Sequence, residues 1–136
     1  MTSRSGNGFI AIEWVAAVAL LLFPAVVIVA TLPSWAERKH AAVVAAREAA
    51  RDLRRDWPGG NFADAELVAK YVAADHGIAP GDMTVSVLAE AVNPGDQIRV
   101  QVRVRMPAIA VPGLPPVGAW TFTTVAALRV DDYRSR

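Results

Sequence analysis

The spacing of apolar and polar positions changes three times along the chain. From Phe9 to Leu32 it reads FIAIEWVAAVALLLFPAVVIVATL, apolar on every side and broken by one charge, Glu13. As a helix this run spans about 36 Å, enough to cross a hydrocarbon layer of about 30 Å. Trp14 and Trp35 bracket it about 31 Å apart, the separation of two aromatic anchors at the faces of a membrane. The next stretch, SWAERKHAAVVAAREAARDLRRDW, is alanine-rich and helix-forming through Trp57, with Ser34 placed as a cap. Ala46, Ala50, Leu53 and Trp57 recur at +4, +3, +4 and predict one buried row. Glu48 with Arg51, and Asp52 with Arg55, fall at i,i+3 on the wet side. Pro24 and Pro33 each remove a backbone donor and are expected to kink or interrupt the helix. Pro58, Gly59 and Gly60 end it.

The remainder alternates between helix and strand signals. Asn61 to His76 predicts a second helix, capped by Asn61 or Asp64 and closed by Gly77, with Leu67, Val68, Tyr71 and Val72 as its apolar face. After a turn at Ala79-Pro80-Gly81-Asp82 the period becomes two. Met83, Val85 and Val87 alternate with Thr84, Ser86 and Leu88 in a short strand. Asn93-Pro94-Gly95-Asp96 is a hairpin turn. Ile98, Val100, Val102, Val104 and Met106 then alternate with Gln97, Arg99, Gln101, Arg103 and Arg105, so one face packs on a core and the other is wet. Four prolines in the stretch MPAIAVPGLPPVG mark an exposed loop. A third strand over Trp120–Val130 puts Trp120, Phe122, Ala126, Leu128 and Val130 on one side, and Asp131–Arg136 is a polar, fraying tail. The expected fold class is α+β: a long N-terminal membrane and stalk helix, a second helix, and a small three-stranded, mainly antiparallel sheet packed on the stalk.

Charge sharpens the division. Of the 27 charged residues, only Arg4 and Glu13 precede Glu37. With 54% apolar residues the chain is not of the disordered class. A net charge of +1 argues against a nucleic-acid binder. The arginine stripe on the second strand reads as a solvated sheet face, since no aromatic platform interleaves with it. The absence of cysteine excludes a disulfide framework, a thiol nucleophile and a thiolate zinc site. His40 and His76 look isolated, and the serines have no partner set. There is no phosphate loop, no Gly-x-Ser-x-Gly and no His-Glu-x-x-His, so neither an enzyme, a metal site, a cofactor nor a small-molecule substrate is expected.

Glu13 is the residue that needs explaining. A carboxylate in a membrane span costs about 2.5–3.5 kcal/mol at the helix centre and marks function by default. It also lies about 6 Å beyond Phe9, close enough to the membrane face for its head to reach water. Residue type alone leaves both readings open. A cleaved secretory signal, with Ile28 and Ala30 before a cut at Thr31, is a further alternative. The length of the apolar run, Pro33 and Trp35 near the cut, and an acid early in the core all disfavour it.

The order of residues around Glu13 adds a resemblance. A glycine, Gly8, then an apolar run that starts with Phe9 and carries Glu13 at its fifth position, resembles the class III signal of type IV pilins and pseudopilins. The whole-chain layout, with its short leader and the stalk AAREAARDL, is similar to the TadE-like proteins of tight-adherence (Flp) pili. Trp14 stands where that family has Phe or Tyr, and the leader carries one arginine. The resemblance implies a prepilin peptidase cut between Gly8 and Phe9. It divides the chain into leader 1–8, transmembrane and assembly helix 9–33, stalk helix 34–57 and exported head 58–136. It further implies that Glu13 pairs with the Phe9 amine of a neighbouring subunit, with other pilin subunits and the pilus assembly platform as partners. The N-terminus would be cytoplasmic and the head exported, in a single-pass membrane protein that enters an extracellular pilus. Two other readings stand beside it: an unprocessed single-span envelope anchor or accessory of a membrane complex, and a secreted binding protein.

Overall fold

The computed structural model describes residues 6–56, 58–89, 93–110 and 115–131, with backbone only for 6–10 and 89. Four sequence expectations fall outside that set in whole or in part: the leader before residue 6, Trp57 in the stalk row, residues 111–114 of the proline loop, and the tail beyond Asp131. Helix α1 runs Gly6–Arg55 and helix α2 runs Phe62–Asp75. A short 3-10 turn at Pro80–Asp82 leads into strands β1 (Met83–Ala89), β2 (Gln97–Arg105) and β3 (Thr121–Arg129). The strands form one antiparallel sheet in the order β1-β2-β3. This is the expected α+β fold with a long apolar N-terminal helix.

Continuity of α1 overturns interruption at the prolines, one arm of that expectation, and the cap at Ser34. Neither Pro24 nor Pro33 interrupts the helix, which extends for 50 residues, about 75 Å. Pro33 has no N–H to donate, and the helix continues on both sides of it. Thr31 Oγ1 donates to the Ile28 carbonyl at 2.7 Å, and Ser34 Oγ to the Thr31 carbonyl at 2.8 Å. These are local side-chain bonds to the helix backbone, and neither is to the Val29 carbonyl, the acceptor that Pro33 leaves without its amide. Ser34 is therefore an interior residue and not a cap.

The C-terminal half of α1 is the floor of the head, and its contact surface is alanine. Ala41, Ala42, Ala45, Ala46, Ala49 and Ala50 are each at most 1% exposed, with Leu53 at 4%. The row Ala46, Ala50, Leu53 is thus buried as the spacing predicts, but it is half of a wider face. Against it α2 presents Ala65, Ala69 and Ala73, spaced i, i+4, i+8. The expected apolar face of α2 is wrong in its centre. Leu67 and Tyr71 are 51% and 71% exposed, while Val68 and Val72 sit half-buried at the margin. Small residues on both helices let the backbones approach closely, and larger side chains are turned out of the seam.

Above the helices, Ile98, Val100, Val102 and Val104 of β2 fill the core with Met83, Ile78 and Val130. Burial alternates along β2, with Arg99, Arg103 and Arg105 on the wet face. Asn61 caps α2 by accepting from the Ala63 amide at 3.0 Å, and Gly77 closes it at φ 71°. Gly95, at φ 90°, makes the turn before β2 and donates its amide to the Val130 carbonyl.

Candidate functional site

Gly8 and Phe9 lie in the first turns of α1, where the backbone is already helical. Glu13 follows one turn later on a bare surface. Residues 11–23 are all exposed, including Ile12 at 71%, Trp14 at 69% and Leu20 at 81%. Among the described residues nothing pairs with the Glu13 carboxylate. Ala16 and Ala17, one turn on, leave open space on its side of the helix. This half of α1 is long and apolar enough to cross a membrane. Among the described residues nothing covers the surface of residues 11–23.

Trp14 and Trp35 differ in what surrounds them. Trp14 stands free on the helix. Trp35 is half-buried, and its Nε1 donates to the Pro107 carbonyl at 3.1 Å. Its ring meets Trp120 edge-on at 6.2 Å, and Trp120 meets Phe122 in the same way at 6.4 Å. Lys39 Nζ sits 5.4 Å from the Trp120 ring centre and 5.6 Å from that of Phe122, within the range of cation–π attraction. One turn from Trp35, Arg38 Nη1 donates to the Arg105 carbonyl at 2.9 Å and to Asp82 Oδ2 at 3.3 Å. The base of the head is thus tied to the helix where the apolar run ends. Composition offers no sign of this joint, because its partners are 44 to 72 positions apart.

The structure also brings together two residues that look isolated in the sequence. His40 on α1 and His76 at the end of α2 meet edge-on, ring centres 6.2 Å apart. Both are exposed, and among the described residues no group of three His, Asp or Glu is placed to hold a metal ion. On the wet face of the sheet an open groove runs between Arg103, Arg105, Thr84, Thr121 and Thr123. Thr84 and Thr123 flank Arg103 in register, and Thr121 flanks Arg105. The Asp82 carboxylate lines the same groove beside the two arginines. Compared with protein-family models, curated proteins and solved structures, the chain matches none.

Proposed function

We propose that the chain is a structural or assembly subunit of a tight-adherence type IV-like pilus, a minor pilin or pseudopilin of the TadE-like kind. In this reading prepilin peptidase removes the leader after Gly8, the N-terminus faces the cytoplasm and the head is exported. The new Phe9 amine and the Glu13 carboxylate lie one turn apart on each helix. In a bundle the carboxylate of one subunit takes the amine of the next. Taking both charges out of lipid is costly, and the pairing offsets that cost only when the axial stagger is right. Its worth is therefore in register more than in strength.

The observation that carries the reading is Glu13 itself. It is the one charge between Phe9 and Leu32, has no partner among the described residues, and stands five positions past Gly8. Glu13→Ala is expected to leave leader removal and membrane insertion intact while blocking incorporation into filaments. Removing one half of such a buried pair costs about 3–5 kcal/mol per contact. Filaments that take up Glu13→Ala at the normal level would overturn the assignment.

A further inference from the structure

The two edges of the sheet are not equivalent. The Met106 amide donates to the Trp120 carbonyl at 2.8 Å and the Val130 amide to the Asp96 carbonyl at 2.9 Å, one bond beyond each end of the β2–β3 ladder. Between them the register is unbroken from Arg105 opposite Thr121 to Gln97 opposite Arg129. Bonded and non-bonded opposites alternate in an antiparallel ladder, so Phe122, Thr124, Ala126 and Leu128 are the residues that bond to β2. Thr121, Thr123, Val125 and Ala127 turn their amides and carbonyls away from it, to the outer edge. All four are exposed, and among the described residues no backbone bond from outside the sheet reaches them. β1, at the other edge, is seven residues long and broken by a bulge between Val87 and Ala89, which blunts it. β3 has no proline, no bulge and one charge, Arg129. Such an edge is a template for a further strand.

What lies beside this edge sets the chemistry of its partner. A groove touches Val125, Ala126, Ala127 and Leu128 in succession. Successive side chains point to opposite faces of a sheet, so a groove that meets all four follows the edge of the strand. The rest of its lining is Arg47 and Arg51 of α1, and no acid lines it. Arg51 Nη1 donates to Glu48 Oε1 at 2.8 Å, with the arginine side chain 63% accessible. Arg47 is exposed and has no partner among the described residues. Arg51 also borders a second groove, with Arg54, Arg55, Val130 and the acid Asp131. A strand added at the edge meets an arginine pair on its groove side, which calls for carboxylates there. A second copy of this chain brings none on its strands, because β1, β2 and β3 contain no acid. We infer that β3 is a docking edge: an extended acidic segment of another protein adds beside it, bonding to the main chain of Thr123, Val125 and Ala127 and pairing its carboxylates with Arg47 and Arg51. The docking depends on the head alone and is independent of the cut after Gly8.

The test uses the full-length, isotope-labelled chain in detergent micelles, with amide hydrogen exchange read residue by residue by NMR. The probe is a short blocked peptide of alternating valine and glutamate, titrated to millimolar concentration, and its control carries lysine in place of glutamate. Without peptide, the amides of Thr123, Val125 and Ala127 should exchange fast and those of Thr124 and Ala126 slowly. At about ten times its Kd the glutamate peptide should slow exchange at the first three about tenfold, and the lysine peptide should not. Of two glutamate peptides, one N-methylated at every valine and the other at every glutamate, one should bind and the other should not, because only alternate amides face β3. The Val125 amide lies outside the ladder, so Val125→Pro should keep the near-ultraviolet circular dichroism of the head and abolish binding. Arg47→Gln with Arg51→Gln leaves the strand untouched and should weaken binding about threefold to tenfold. No protection by millimolar glutamate peptide, equal protection by the lysine peptide, binding of both methylated peptides, or unaltered affinity in either variant overturns the proposal. So does protection of all three amides before peptide is added: constant with protein concentration it means that the chain covers its own edge, and rising with concentration it identifies a second copy as the occupant.

Discussion

Trp35 Nε1 and the Pro107 carbonyl, 72 positions apart in sequence, are joined by a 3.1 Å hydrogen bond that fastens the base of the head to the helix just beyond the apolar run. The indole combines two jobs. Its ring contributes to an aromatic row with Trp120 and Phe122, and its N–H gives that row an orientation.

Substitutions at Trp35 separate these jobs. Trp35→Phe keeps a ring against Trp120 but loses the donor, and should cost about 1 kcal/mol. Trp35→Ala loses ring and donor together and should cost about 3 kcal/mol. Urea unfolding of the head in detergent micelles, followed by near-ultraviolet circular dichroism, measures both. Equal losses would mean that the ring contributes nothing.

The alanine seam sets a second expectation. Ala69 is fully buried between α2 and α1, whereas Leu67 is half exposed on the same helix. Ala69→Leu should destabilise the head by about 1–3 kcal/mol through overpacking. Leu67→Ala should change stability by no more than about 0.5 kcal/mol. The reverse order in thermal melts would contradict the assignment of the seam.

Arg38 joins three elements through one nitrogen, donating to both the Arg105 carbonyl and Asp82. Both partners of the ion pair are partly exposed, with side chains 23% and 34% accessible, so solvent screening keeps its share small. Arg38→Ala should cost about 1.5 kcal/mol, most of it from the bond to the carbonyl. A double-mutant cycle with Asp82→Asn should return a coupling of about 0.5 kcal/mol. A coupling several times larger would shift the weight onto the ion pair.

Gly77 and Gly81 form a matched pair for backbone effects, since an added Cβ meets nothing within 4 Å at either site. Gly77 has φ 71°, where an L side chain is strained. Gly77→Ala should cost about 1 kcal/mol, and Gly81→Ala should stay within about 0.5 kcal/mol. Similar chemical-denaturation midpoints for the two variants would argue against a left-handed turn at the end of α2.

Much of the fold is legible residue by residue. Strict alternation from Gln97 to Arg105 assigns the faces of β2, and Asn61 and Gly77 bound α2 through capping chemistry. What escapes is what spacing of large apolar residues cannot register. Alanine is common on exposed and buried helix faces alike, so the seam of Ala65, Ala69 and Ala73 is hidden behind the more conspicuous Leu67 and Tyr71. Pro24 and Pro33 do not end the helix either: each removes one amide, and the intrahelical ladder continues on both sides. Contacts such as His40 with His76, or Arg38 with Asp82, depend on how α1, α2 and the Pro80–Asp82 turn dock, which no local pattern encodes. The candidate site divides along the same line. Glu13 and Trp14 stand out in sequence as interruptions of an apolar run, while the collar of Lys39, Arg105 and Trp120 around Trp35 exists only once the sheet lies on the stalk.

The central claim turns on one bond, between Gly8 and Phe9. The direct measurement is the intact mass and N-terminal residue of the chain extracted from the membranes of cells that carry a prepilin peptidase. The account predicts a chain that begins at Phe9, with or without a methyl group on its amine, and retains 128 of the 136 residues. A chain that begins at Met1 or Thr2 is a fixed anchor, one that begins at Thr31 or later is a secreted protein, and either result contradicts it.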